Sequence, residues 1–157
     1  MSINDGESFH VRDYDQTLLN CVLLADVIYN KNPKASLESS DIKHLIQKLV
    51  SSVQIPKNEG LFESKYMICL NDDNKQVFVV FGETEQMDDY LANFDPYGFI
   101  DDCEDCIHST IFRYSVQIPI DYFLKKIHGG HEVVFTGHGF GGALAAIVAT
   151  NCLRSGA

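Results

Sequence analysis

Between Val133 and Ala146 a hydrophobic strand pattern runs into Gly137-His-Gly-Phe-Gly-Gly142 and then directly into a small-residue helical pattern. Glycines at that density let a backbone turn sharply and let helix and strand approach closely. Two chemistries use such a turn. A nucleophile elbow, Gly-x-Ser-x-Gly, holds a serine at a strained strand-to-helix reversal, and the next backbone N–H helps bind the oxyanion. Gly137, His138, Phe140, Gly141 and Gly142 fit that pattern, with Gly139 at the centre where the serine belongs. A dinucleotide fingerprint, Gly-x-Gly-x-x-Gly, is satisfied by Gly137, Gly139 and Gly142 and would seat a pyrophosphate on the helix N-terminus. It also wants an acidic residue about 20 positions later, and none follows Glu132 as far as Ala157. A tight crossover with no chemistry is the third reading, and on these six residues alone it stands level with the elbow.

Other reactive groups are weaker candidates. Cys103-Glu-Asp-Cys106 with His108 offers two thiols and an imidazole. A second pair of ligands at structural spacing is missing, and haem attachment needs a histidine directly after the second cysteine. Reduced loop thiols and no metal are the expectation, and no cofactor is expected. Asp101, Asp102, Glu104 and Asp105 lack the spaced acids and central glycine of a calcium loop. His138 reads as a packed or hydrogen-bonded residue rather than a general base, because elbow flanks point away from the nucleophile. His131 reads as a strand start.

The elements that must position the turn follow from periodicity. Asp13 to Tyr29 carries apolar residues at near-helical spacing and stops at Asn30-Lys-Asn-Pro33; Ser40-Asp41 caps a second helix reaching Val50. Tyr66–Leu70 and Gln76–Phe81, rich in aromatic and β-branched residues and split by Asn71-Asp-Asp-Asn-Lys75, predict a hairpin. A short helix is predicted over Asp88–Phe94, a turn over Asp95–Gly98, a helix over Ser115–His128, a strand over His131–Thr136 and a helix over Gly141–Leu153.

The 157 residues, 45% of them apolar, suit one domain spanning 1–157. No stretch approaches the roughly 18 apolar residues needed to span a bilayer, and no basic, apolar leader opens the chain. Five scattered cysteines argue for reduced thiols. A cytoplasmic protein is the expectation. Net charge is −10, and nine acids with no Lys or Arg lie between Lys75 and Arg113. Such a stretch repels phosphate backbones, so nucleic acid is excluded as a partner, and a solvated acidic loop is the plain reading of those charges.

With these elements in place the chain resembles the class 3 (fungal-type) lipase family of the α/β-hydrolase superfamily. That family's elbow reads Gly-His-Ser-x-Gly-Gly-Ala-Leu-Ala, against Gly137-His-Gly-Phe-Gly-Gly-Ala-Leu-Ala145 here. Val79-Val-Phe-Gly-Glu-Thr84 resembles its Phe-Arg-Gly-Thr strand end, Met87–Asn93 its Asp-Trp-Leu-x-Asn helix, and Ile107-His108 its Val-His ahead of a long helix. The resemblance covers about residues 65–153. It implies an α/β fold: a partial α/β-hydrolase-type, mostly parallel sheet flanked by helices, with a strand–elbow–helix at 131–153.

It also implies an oxyanion hole from Thr84 and the backbone N–H of Phe140. The nucleophile does not carry over, since Gly139 has no side-chain oxygen, and the residues given end before the portion in which the family places its aspartate and histidine. Phe81-Gly-Glu-Thr84 lacks the family's arginine and shifts its glycine. The expectation is a lipase-like protein, related to lipid metabolism by resemblance, without a working triad, binding an acyl ligand or a protein partner. Two alternatives stay open: a fragment or variant of an active serine carboxylester hydrolase, and a dinucleotide-binding module. A strand left without its family neighbours would expose a sheet edge and favour self-association.

Overall fold

Two runs of apolar residues joined by a short polar turn have only one way to pair, and they do. In a computed structural model that describes residues 11–39, 52–54, 65–83, 99–100 and 107–157, β2 (Tyr66–Asn71) and β3 (Gln76–Phe81) form the antiparallel hairpin, in register from Tyr66↔Phe81 to Asn71↔Gln76. The turn places Lys75 at a φ of 51°, and the Asn71 side-chain oxygen accepts from the Asn74 N–H at 3.2 Å. β1 (Ser52–Gln54) adds antiparallel to β2, and β6 (Glu132–Gly137) adds parallel to β3, giving the order β1-β2-β3-β6. A separate two-stranded ribbon pairs β4 (Phe99–Ile100) with β5 (Ile107–His108).

The sheet, expected mostly parallel, is mixed in its described part. Short connections allow only antiparallel pairing, and the parallel geometry enters where a long crossover links β3 to β6. The α/β class itself holds, because helices cover both faces.

Alternation along the strands divides the core in two. Tyr66, Ile68, Leu70, Val77, Val79 and Phe81 face one side, packing against α3 (Ser109–Ser115), α4 (Ile120–His128) and α5 (Phe140–Arg154) through Tyr114, Phe123, Leu144 and Val148. Met67, Cys69, Phe78 and Val80 face the other, under α1 (Val11–Val27) through Leu24 and Val27, and under Ile28 just after it. Strands buried on both faces read as continuous apolar runs for this reason.

Several helix boundaries differ from expectation. The helix expected over Ser115–His128 starts only at Ile120, as α4 with Pro119 at its N-cap, and Ser115 instead ends α3, a separate helix that was not expected; a proline has no N–H to continue a helix and disfavours helical geometry in the residue before it. The first helix ends at Val27, two residues early. Its stop, Asn30–Pro33, is also a start: the Asn32 side chain accepts from the Ala35 N–H at 3.1 Å and Pro33 opens the short α2 (Pro33–Glu38). The helix expected from Ser40 to Val50, the helix over Asp88–Phe94, the turn over Asp95–Gly98 and the Cys103/Cys106 pair lie outside the described residues.

Candidate functional site

β6 ends at Gly137 and α5 begins at Phe140, so the chain reverses through His138 and Gly139 alone. Gly139 is the N-cap of α5, at φ 55° and ψ −122°. An L-residue is strained there and glycine is not. The reversal expected around position 139 is therefore present, and its apex carries no side chain.

The surrounding glycines are set by close packing. A Cβ on Gly141 would meet the Phe81 carbonyl oxygen at 2.2 Å, and one on Gly137 would meet Gly141 backbone carbon at 2.4 Å. The end of β3, the end of β6 and the first turn of α5 thus touch backbone to backbone. Gly142 is looser, its Cβ direction meeting the Gly137 carbonyl oxygen at 3.0 Å.

Phe140, the first helical residue, turns its ring edge-on to Tyr114 at 5.2 Å between centroids, within the core beneath α5. Its backbone N–H lies in the first turn, where amides have no partner inside the helix and the helix dipole is positive. Thr84, the other expected oxyanion donor, lies outside the described residues.

His138 is exposed and its ring meets Tyr29 edge-on at 6.2 Å. The Tyr29 hydroxyl donates to the His138 carbonyl oxygen at 3.2 Å. That bond is to the backbone of His138 and leaves its ring exposed; His131 directly precedes β6, its N–H donating to the Lys126 carbonyl at 3.0 Å.

Three residues near the apex or in the groove beside it were not singled out from sequence. Glu83 follows β3, and one of its carboxylate oxygens lies 3.2 Å from the point a Cβ on Gly139 would occupy. Burial, and then the charge of Glu83, push the Tyr29 phenol up from its ordinary range. Asp26 and Tyr29 line an open groove of about 440 Å³ between α1 and the end of β6, with Leu18, Cys21, Val22 and His138 among its other walls. The register Phe81↔Gly137 could have pointed to Glu83, but parallel register is not legible in one sequence. Burial above all, with a lowering hydrogen bond from Thr136 and a raising charge from Glu132, leaves the Cys21 thiol up as well.

On its far side β6 has no strand partner among the described residues. There its Val133–Gly137 flank and the small face of α5, with Gly142, Ala145, Ala146 and Ala149, enclose a second groove of about 520 Å³. Among the described residues no three His, Cys, Asp or Glu side chains group as a metal site. The described cysteines, Cys21, Cys69 and Cys152, are free thiols. No helix among the described residues is long and apolar enough to cross a membrane.

No protein-family profile matches the chain. Its backbone is nonetheless similar to solved fungal lipases. The Rhizomucor miehei triacylglyceride lipase aligns with 99% of this chain and 59% of its own, at a TM-score of 0.63 and 14% identity. A fungal lipase–inhibitor complex aligns with 93% of this chain and 57% of its own, at 0.66 and 15%. A Penicillium cyclopium protein, MDLA, aligns with 96% and 60%, at 0.60 and 16%. The chain thus spans about three fifths of the length of these structures, and over that span it has the α/β-hydrolase-like fold of the fungal lipases.

Proposed function

We propose that this chain is a single lipase-like α/β-hydrolase domain that binds an acyl-type ligand without hydrolysing it. The observation that carries the reading is Gly139 at φ 55°, ψ −122° on the N-cap of α5: an elbow built to present a nucleophile, with a hydrogen atom at its apex. Gly137, His138, Gly141 and Gly142 would form the elbow, and the N–H groups of Phe140 and Thr84 the remnant of an oxyanion hole. Removing a nucleophile of this kind leaves about one part in 10⁶ of turnover, too little for a physiological ester hydrolase. The free thiols and acidic composition suit a cytoplasmic setting.

Short-chain p-nitrophenyl esters and a fluorophosphonate probe test this directly. The expected result is neither turnover above background nor covalent labelling. Labelling anywhere in residues 131–146, or robust turnover, overturns the proposal.

One observation favours a second reading. The chain covers 59% of a triacylglycerol lipase whose catalytic centre is described as a serine protease triad. A longer parent protein, or an allele with serine at position 139, would then be an active carboxylester hydrolase. Sequencing the transcript past Ala157 separates the two readings: an Asp and a His on later strand ends revive the enzyme, and an in-frame stop removes it. Glu83 argues against the dinucleotide alternative, since it sets a carboxylate where that fingerprint brings a pyrophosphate.

A further inference from the structure

We propose that the groove between α1 and the elbow selects amphiphiles with a cationic head and rejects fatty-acid anions, an inference that rests on the acyl-binding reading above and names the ligand class of that site. The walls along α1 are apolar, with Leu18 and Val22 half or more exposed at 50% and 67%. Exposed large side chains bordering a groove of about 440 Å³ are what an alkyl chain needs, and the volume falls within the roughly 300–1,000 Å³ of small-molecule sites.

Apart from Lys65, whose Nζ reaches the Asn30 carbonyl oxygen at 3.5 Å, the charged side chains described around the polar end of the groove are carboxylates. Asp26 lines it, Glu83 stands at the apex beside Gly139, and none of the described lining residues is Lys or Arg. The one place in this fold that would welcome a carboxylate is the N-terminal turn of α5, where unpaired amides and the helix dipole attract anions. Glu83 already brings its own carboxylate to that turn. A fatty-acid head arriving there meets the like charge of Glu83. An ammonium head meets the Asp26 carboxylate and the Tyr29 and His138 side of the groove, with the Glu83 carboxylate beyond the lining, at the apex beside Gly139. The raised Tyr29 phenol and Cys21 thiol, each partly through a neighbouring carboxylate, agree with a negative potential along this wall.

The test titrates the intact chain with dodecyltrimethylammonium, dodecanoate and 1-monolauroylglycerol, all below their critical micelle concentrations, by calorimetry. The acidic chain attracts cations non-specifically, so the decisive measure is the affinity ratio of cation to anion in variants of equal charge. Wild type is expected to favour the cation by about tenfold or more at one site. The double variant Asp26→Asn/Glu83→Gln should bring the ratio down about tenfold, whereas Glu38→Gln/Asp73→Asn, which removes the same number of charges from α2 and the β2–β3 turn, leaves it in place. Asp26 and Glu83 are exposed, so both variants should fold.

A ratio unmoved by the double variant, or dodecanoate binding as tightly as the cation, refutes the charge selection while leaving the acyl site standing. Failure of all three amphiphiles to bind, the neutral one included, refutes the acyl-binding reading itself.

Discussion

At the scale of single residues, the four elbow glycines are distinguished by what a methyl group would strike. Gly137→Ala and Gly141→Ala drive a Cβ into backbone, which has no rotamer to move to, and each should cost about 3 kcal/mol or more of unfolding free energy. Gly139→Ala meets only the free end of Glu83, so its cost is the left-handed φ, about 1–2 kcal/mol. Urea midpoints rank the three, and a Gly139 variant at least as damaging as Gly141→Ala would show that the apex is packed rather than open.

A fully buried thiol makes a separate prediction. Burial pushes Cys69 up to about 12 from its ordinary value of 9.0. A raised folded-state value means the stabilising contribution is intact below the unfolded thiol's value and is lost as pH climbs from about 9 towards 12. Urea unfolding at pH 8 and pH 10 should therefore show wild type losing more stability than Cys69→Val; equal losses would count against this thiol as the source. The glycines were legible because a glycine's role is local. Glu83, Asp26 and Tyr29 were not, because the fold gathers the end of α1 and the end of β3 around the β6–α5 turn from distant parts of the chain.

Among the elements, α4 shows how packing and sequence signals combine. Phe123, fully buried, meets Tyr122 and Phe135 edge-on at 5.6 and 5.3 Å and so ties the helix to β6. Phe123→Ala should cost about 3–5 kcal/mol, measured as a shift in chemical denaturation, while the exposed Val116→Ala should change little. A small effect at Phe123 would mean that α4 is not anchored where it lies.

The hairpin, the elbow strand and the last helix could be read from periodicity and punctuation within a residue or two, since each is a strongly apolar segment bounded by turn residues. The break at Pro119 was legible in principle, yet apolar spacing on both sides of it reads as one helix. Sheet direction was not legible: whether β6 runs with β3 or against it depends on the crossover between them.

For the molecule as a whole, the open flank of β6 with apolar grooves on both faces is the most consequential surface. Unpaired N–H and C=O groups there make it a template for another strand. Sedimentation velocity on the isolated chain should show a dimer or larger species growing with concentration; a monomer at all concentrations would mean that something outside the described residues covers the edge.

The pairing of β6 with β3 also imposes an order of assembly. β2 and β3 meet through a four-residue turn, whereas Gln76 and Glu132, which open the β3–β6 ladder, lie 56 residues apart. Closing so long a loop loses chain entropy before any contact repays it, and such non-local pairings set the slow step of folding. A nascent chain therefore owns its hairpin long before it owns its strand–turn–helix, and a ribosome pausing ahead of Glu132 would hold out a sheet that still lacks its parallel strand.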